Sequence, residues 1–122
     1  MSHEILLVDD ESVFSDLTRD QLAHRGFSVT VAYSGEEALN RIKDHPPDII
    51  LLDVMMTGIS GIEVLQHLQS DPQLKDIPVV VCSITMQEKT AIRRLLEMGA
   101  RGFIAKPCRP DDLAAKIRDV LG

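Results

Sequence analysis

The sequence predicts an α/β domain: a doubly wound, five-stranded parallel sheet with helices on both faces. Three observations carry that prediction. Strand-length apolar runs alternate five times with helix-period segments, joined by short connections. The strongest run, Ile49-Ile50-Leu51-Leu52, is continuously apolar, the pattern of a strand buried on both faces. It runs into a lone acid, Asp53, and the first run also ends in acid, at the carboxyl edge where an open α/β sheet places its chemistry.

Glu4–Val8 supplies the first strand and stops at Asp9-Asp10-Glu11. Ser12 to Arg25 follows as a helix, with Val13, Phe14, Leu17 and Leu22 as a loose apolar stripe and Gly26 just past its cap. Phe27–Ala32 alternates apolar and polar, as an edge strand with one wetter face does. Ser34 and Glu37 form a capping box that opens a second helix through Ala38, Leu39 and Ile42, and Pro46-Pro47 breaks it. The central strand is expected over Asp48–Leu52. Gly61–Ser70 reads as a third helix with Ile62, Leu65 and Leu68 on one face, ended by Asp71 and Pro72.

Val79–Cys82 is mostly β-branched and too short for a helix. Thr85 and Glu88 form a second capping box before a helix with Ile92, Leu95 and Leu96 inward, closed by Gly99. Gly102–Ala105 is the fifth strand. Pro110 suits the first turn of a last helix lined by Leu113, Ile117, Val120 and Leu121.

At 122 residues the chain reads as one domain, 1–122, standing alone or excised from a longer protein, with enough length to bury a core without disulfides or a structural metal. Aromatics are only 3%, so the core is expected to be aliphatic. A net charge of −6 argues against direct binding to nucleic acid or an anionic membrane. No apolar stretch approaches the roughly 20 residues of a membrane span, and the N-terminus has no signal-peptide form, so a cytoplasmic location is expected. Cys82 and Cys108 read as small, buried, reduced residues. His3, His24, His45 and His67 form no pair at helical ligand spacing and read as surface residues.

In a sheet of order 2-1-3-4-5 the first and third strands are neighbours at the switch point. Asp9, Asp10 and Asp53 then converge on one crevice, although more than forty positions separate the first from the last. Carboxylates that close repel one another and either hold protons or recruit a cation, and hard oxygen donors select Mg²⁺. Each motif alone has a plainer reading: Asp9 and Asp10 as caps of the first helix, Asp53 as the start of a turn. Together at the ends of adjacent buried strands they are costly unless something binds them.

Ser83 after the fourth strand and Lys106 after the fifth reach the same edge. Singly they read as a loop hydroxyl or N-cap and as a solvated charge or counter-ion. Beside a cation-binding acid cluster they are what a phosphoryl group needs, a donor for one oxygen and a positive charge for another.

Through Asp9-Asp10, Asp53, Ser83 and Lys106-Pro107, with the stretches LLDVMM and GARGFIAKP, the chain resembles over its whole length the receiver (CheY-like) domain of bacterial two-component response regulators. The resemblance implies a flavodoxin-like fold in which Asp53 takes a phosphoryl group from a phosphohistidine, on a sensor histidine kinase or a histidine phosphotransfer protein. Mg²⁺, or Mn²⁺, would be held by Asp10, Asp53 and the Met55 backbone carbonyl, with Asp9 acting mainly through water. Lys106 would contact the phosphoryl group, and its bond to Pro107 would be cis.

Ser83 and Phe103 would be the switch residues, remodelling the surface of the fourth helix, fifth strand and fifth helix that controls a downstream protein or output domain. The protein would act as a monomer or a phosphorylation-dependent dimer. Lys89, Arg93, Arg94 and Arg101 make that face basic, a pattern that reads equally as a solvated helix face. By the same resemblance the chain is not an enzyme toward a separate substrate, its chemistry being self-catalysed phosphoryl acceptance and autodephosphorylation.

The chain departs from the family pattern in places. Thr57 stands where the family usually has Pro, which implies a less rigid loop after Asp53. Ile84 stands where a small residue is usual, so its bulk is expected to narrow access to the phosphoryl site. Cys108 and Arg109 replace the more typical aromatic and N-cap residues, leaving Asp111 and Asp112 to suit the positive end of the last helix.

Two rival functions are weaker. A phosphohydrolase with an aspartyl-phosphate intermediate wants a second Asp where this chain has Met55, and a flavin-type phosphate cradle would be repelled by Asp9-Asp10-Glu11. A degenerate receiver acting only as a binding module would not need the full set of acids, hydroxyl and lysine.

Overall fold

The computed structural model describes residues 3–54, 61–83, 89–106 and 108–122, with backbone only at 83 and 89–92. Ten elements alternate along the chain: β1 (Glu4–Val8), α1 (Ser12–Ala23), β2 (Ser28–Ala32), α2 (Gly35–Asp44), β3 (Ile49–Asp53), α3 (Gly61–Ser70), β4 (Val79–Ser83), α4 (Lys89–Glu97), β5 (Gly102–Ala105) and α5 (Pro110–Leu121). The strands form one parallel sheet in the order β2-β1-β3-β4-β5, the doubly wound order expected. Among the described residues, no helix is long and apolar enough to cross a membrane.

The pleat sorts the core into two layers, because successive side chains on a strand point to opposite faces. Leu6 and Val8, Ile50 and Leu52, and Val79 and Val81 face one way, against Ala38 and Ile42 of α2, Val64, Leu65 and Leu68 of α3, and Leu95 of α4. Ile5 and Leu7, Ile49 and Leu51, and Val80 and Cys82 face the other, against Leu22 of α1 and Leu113, Ala114 and Ile117 of α5. A strand covered on both sides must be apolar at every position, which is why β3 reads as an unbroken run. Burying one such aliphatic side chain contributes about 1.5–3 kcal/mol before the entropy of ordering it, so three central strands of this kind dominate the core.

Several boundaries differ from the sequence reading. Helix α1 stops at Ala23, two residues short of Arg25, because His24 to Gly26 form a turn whose Gly26 has φ +91, a left-handed conformation open to glycine. Strand β3 is shifted to Ile49–Asp53 and so contains the acid itself, Asp53 pairing with Cys82. Strand β4 runs on to Ser83, and β2 begins at Ser28. The Ser34 hydroxyl accepts from the Glu37 N–H at 3.1 Å as a capping box requires, but the Glu37 carboxylate accepts from the Tyr33 N–H at 3.2 Å, one residue earlier than the motif predicts. The Thr85–Glu88 box lies outside the described residues.

The apolar stripe of α1 is the main correction. Val13 and Leu17 are 81% and 55% exposed, while Leu22 of the expected stripe is buried, together with the polar Ser15 and Thr18. Ser15 donates to the Glu11 carbonyl at 2.9 Å and also lies 3.3 Å from the Asp9 carbonyl, so its buried hydroxyl is satisfied. Small side chains let the first half of α1 lie close over the end of β1, where a leucine would hold it off. Leu96 on α4 is likewise exposed while Leu95 is buried. Cys82 is buried and Cys108 half-buried, both free, and all four histidines are exposed.

Candidate functional site

Register builds the site. Val8 pairs with Leu52, so the next residues, Asp9 and Asp53, stand level at the carboxyl edge of adjacent strands. Ser83 pairs with Ala105, which puts Lys106 one step beyond the end of β5 at the same edge. Asp9 extends the ladder through its N–H to the Ala32 carbonyl at 3.0 Å, so its position is set by backbone as well as by packing.

Asp9, Asp10 and Asp53 each offer a carboxylate oxygen, and these oxygens lie within 4.8 Å of one another. Among the described residues this is the one cluster of three or more acidic, histidine or cysteine groups so arranged. Asp9 and Asp53 are buried, while Asp10 is less so. The Lys106 ammonium donates to Asp9 Oδ2 at 2.5 Å and lies 3.4 Å from Asp53 Oδ2, with side-chain exposures of 8%, 0% and 11% for Lys106, Asp9 and Asp53. Burial alone would push the lysine pKa down, but the Asp9 hydrogen bond and the charges of Asp53 and Asp9 together outweigh it and leave the pKa raised. The lysine is therefore fully cationic at neutral pH.

Among the described residues the Lys106 ammonium meets two of the three clustered carboxylates, Asp9 and Asp53. A second cation of the hard, oxygen-seeking class suits that donor set. The Asp9 side chain also accepts from the Glu11 N–H at 2.9 Å, which orients it without spending the oxygen that meets Lys106. The N-cap of α1 is Glu11, with no side-chain cap bond, so Asp9 and Asp10 stand before the cap position.

Behind Asp53, Gly61 opens α3 against the chain: a Cβ there would lie 2.5 Å from the Asp53 carbonyl oxygen and 2.8 Å from the Val54 Cα. That approach sets the start of α3 tightly against the end of β3, where the Gly61 N–H also donates to the Val54 carbonyl at 3.4 Å. Cys82, beside Asp53 in β4, is held as an unreactive thiol, its pKa pushed up to about 12 chiefly by burial.

The structure thus brings together Asp9, Asp10, Asp53 and Lys106. It places the Ser83 backbone at the end of β4, level with Ala105, and leaves Phe103 half-buried on β5 against the α2/α3/α4 layer. Arg93, Arg94 and Arg101 of the basic face are exposed. Met55, Thr57, Ile84 and Pro107, and the side chains of Ser83 and Lys89, lie outside the described residues. Sequence reading missed Ser15, Gly61 as a steric requirement, and Phe14 as a neighbour of Lys106, since none of these is signalled by periodicity or charge.

Fold and site together define an α/β domain with an acid pocket at the carboxyl ends of β1 and β3 and a lysine entering from β5. The family model for the response regulator receiver domain matches residues 5–118, and the chain belongs to that family. It is 36% identical over 121 residues to the phosphate regulon transcriptional regulatory protein PhoB of Escherichia coli, covering 99% of this chain and 52% of that protein. The chain therefore spans about half the length of the curated relatives it matches.

Among solved structures, the chemotaxis protein CheY4 of Vibrio cholerae superposes with a TM-score of 0.92 at 25% identity, covering 98% of this chain and 99% of that one. The signal receiver domain of a signal transduction histidine kinase from Syntrophus aciditrophicus gives a TM-score of 0.88 at 31% identity, covering 98% and 90%.

Proposed function

We propose that this receiver domain accepts a phosphoryl group on Asp53 from a phosphohistidine of a sensor histidine kinase or histidine phosphotransfer protein, in the cytoplasm. The observation that carries this reading is the buried Asp53 carboxylate set beside two further acids and 3.4 Å from the Lys106 ammonium, in a domain of the receiver family. An Asp53 oxygen forms the new bond to phosphorus while the bond from phosphorus to the donor imidazole nitrogen breaks. The protein's share is positioning and charge. Lys106 pairs with one phosphoryl oxygen, and Ser83 donates to another.

The acids fit a Mg²⁺ ion: Asp10 and Asp53, with the Met55 carbonyl, would hold it and Asp9 would act mainly through water. When bound, the ion would neutralise charge on the phosphoryl oxygens. The protein turns over no separate substrate: in autodephosphorylation a water oxygen bonds to phosphorus, the bond from phosphorus to the Asp53 oxygen breaks, and inorganic phosphate leaves the carboxylate free.

The added charge then draws Ser83 inward and lets Phe103 follow, altering the α4-β5-α5 face that meets a downstream protein or output domain. That the relatives are transcriptional regulators of about twice this length supports an output module elsewhere in a longer chain as the target of that face. Incubation with Mg²⁺ and acetyl phosphate followed by intact mass tests the reading: one phosphate adds to wild type and none to Asp53→Asn. Absence of an Asp53-dependent adduct with several donors would overturn it.

A further inference from the structure

The pocket lysine has a neighbour outside the acid cluster. Its ammonium lies 4.2 Å from the centroid of the Phe14 ring on α1, while also meeting Asp9 and Asp53. A cation that close to a ring face is attracted by the negative face of the aromatic quadrupole. Phe14 belongs to neither apolar layer of the core. Its half-buried ring is placed over a charge.

Lysine is a point charge on a flexible four-carbon stem, so its direction must be set by what surrounds it. Two acids compete for it here, and the nearer, Asp9, is not the phosphoacceptor. A leucine at position 14 would exclude water from the same spot but would offer the ammonium no attraction.

We propose that Phe14 is a positioning residue for phosphoryl acceptance, its ring face holding the Lys106 ammonium within reach of Asp53. The inference rests on the receiver reading above and adds a residue to it. The ring acts through Lys106 and touches no reacting atom.

The test compares wild type, Phe14→Leu and Phe14→Tyr as full chains. In ¹H–¹³C spectra, one of the five lysines should show ε-methylene protons shifted upfield by the ring, the signal being assigned by its loss in Lys106→Arg. That shift should persist in Phe14→Tyr and vanish in Phe14→Leu. Phosphorylation of Asp53 by acetyl phosphate with Mg²⁺ should slow about threefold to tenfold in Phe14→Leu and stay within about twofold of wild type in Phe14→Tyr.

A wild-type rate in Phe14→Leu, equal slowing in both variants, or no ring-shifted lysine would each overturn the proposal. Normal phosphorylation without the ring shift removes this inference alone. No adduct on wild type removes the receiver reading, and the positioning role with it.

Discussion

At the carboxyl ends of the strands, Lys106 meets Asp9 at 2.5 Å with side-chain exposures of 8% and 0%; at the opposite ends, His45 meets Glu4 at 2.8 Å with exposures of 77% and 47%. The second end even carries a second pair, His3 with Asp48 at 4.0 Å, and Asp48 accepts from the Glu4 N–H at 2.7 Å. Both edges therefore combine acids with bases at short range. What separates them is water. Exposed pairs are screened and contribute little, whereas charges in a water-poor pocket interact strongly and depend on one another. The residue types alone do not mark the reactive edge; burial does.

Substitutions at the two ends put that comparison at risk. The largest effect is expected for Lys106→Ala, which leaves the fully buried Asp9 beside Asp53 without an ammonium. Removing one partner of a buried pair costs about 3–5 kcal/mol, read as a lowered urea midpoint with an unchanged slope. Gly61→Ala comes next. Its Cβ would press on the Asp53 carbonyl oxygen and the Val54 Cα, both backbone and slow to yield, at a cost of about 1–3 kcal/mol together with slower phosphoryl acceptance. A Gly61→Ala protein as stable and reactive as wild type would show that the approach behind Asp53 is not needed. The smallest effect belongs to His45→Ala, within about 1 kcal/mol of wild type by the same urea titration and without change in phosphorylation rate. If His45→Ala and Lys106→Ala cost the same, the distinction between the ends fails.

Within the helices, a similar contrast separates α3 from α1. On α3 the apolar residues expected to share a face do so: Leu65 and Leu68 are buried and Ile62 packs against the same layer. On α1 periodicity misleads, because Phe14 and Ser15 near its start meet the polar site, at Lys106 and the Asp9 carbonyl, while Leu22 near its end joins the apolar layer. The helix keeps Ser15 inward, its hydroxyl 3.3 Å from the Asp9 carbonyl, buries Thr18 one turn on, and turns Val13 and Leu17 to solvent. An amphipathic pattern reports burial against oil-like surface, so it loses its meaning where the buried surface is charged.

Five βα repeats were legible in the amino-acid sequence, and the convergence of Asp9, Asp10, Asp53 and Lys106 followed from them once the flavodoxin-like strand order was assumed. Continuous apolar runs alternating with helix-period segments point to a doubly covered parallel sheet, and right-handed crossovers then leave few topologies. Tertiary structure alone decided the rest. It placed Asp53 inside β3, because pairing with Cys82 joins residues far apart along the chain. It buried Asp9 against Lys106 and set the Phe14 ring over that ammonium, 92 positions away along the chain. Local patterns record the solvent each residue will meet, but which charges share a dry pocket depends on distances that only the packed sheet brings into being.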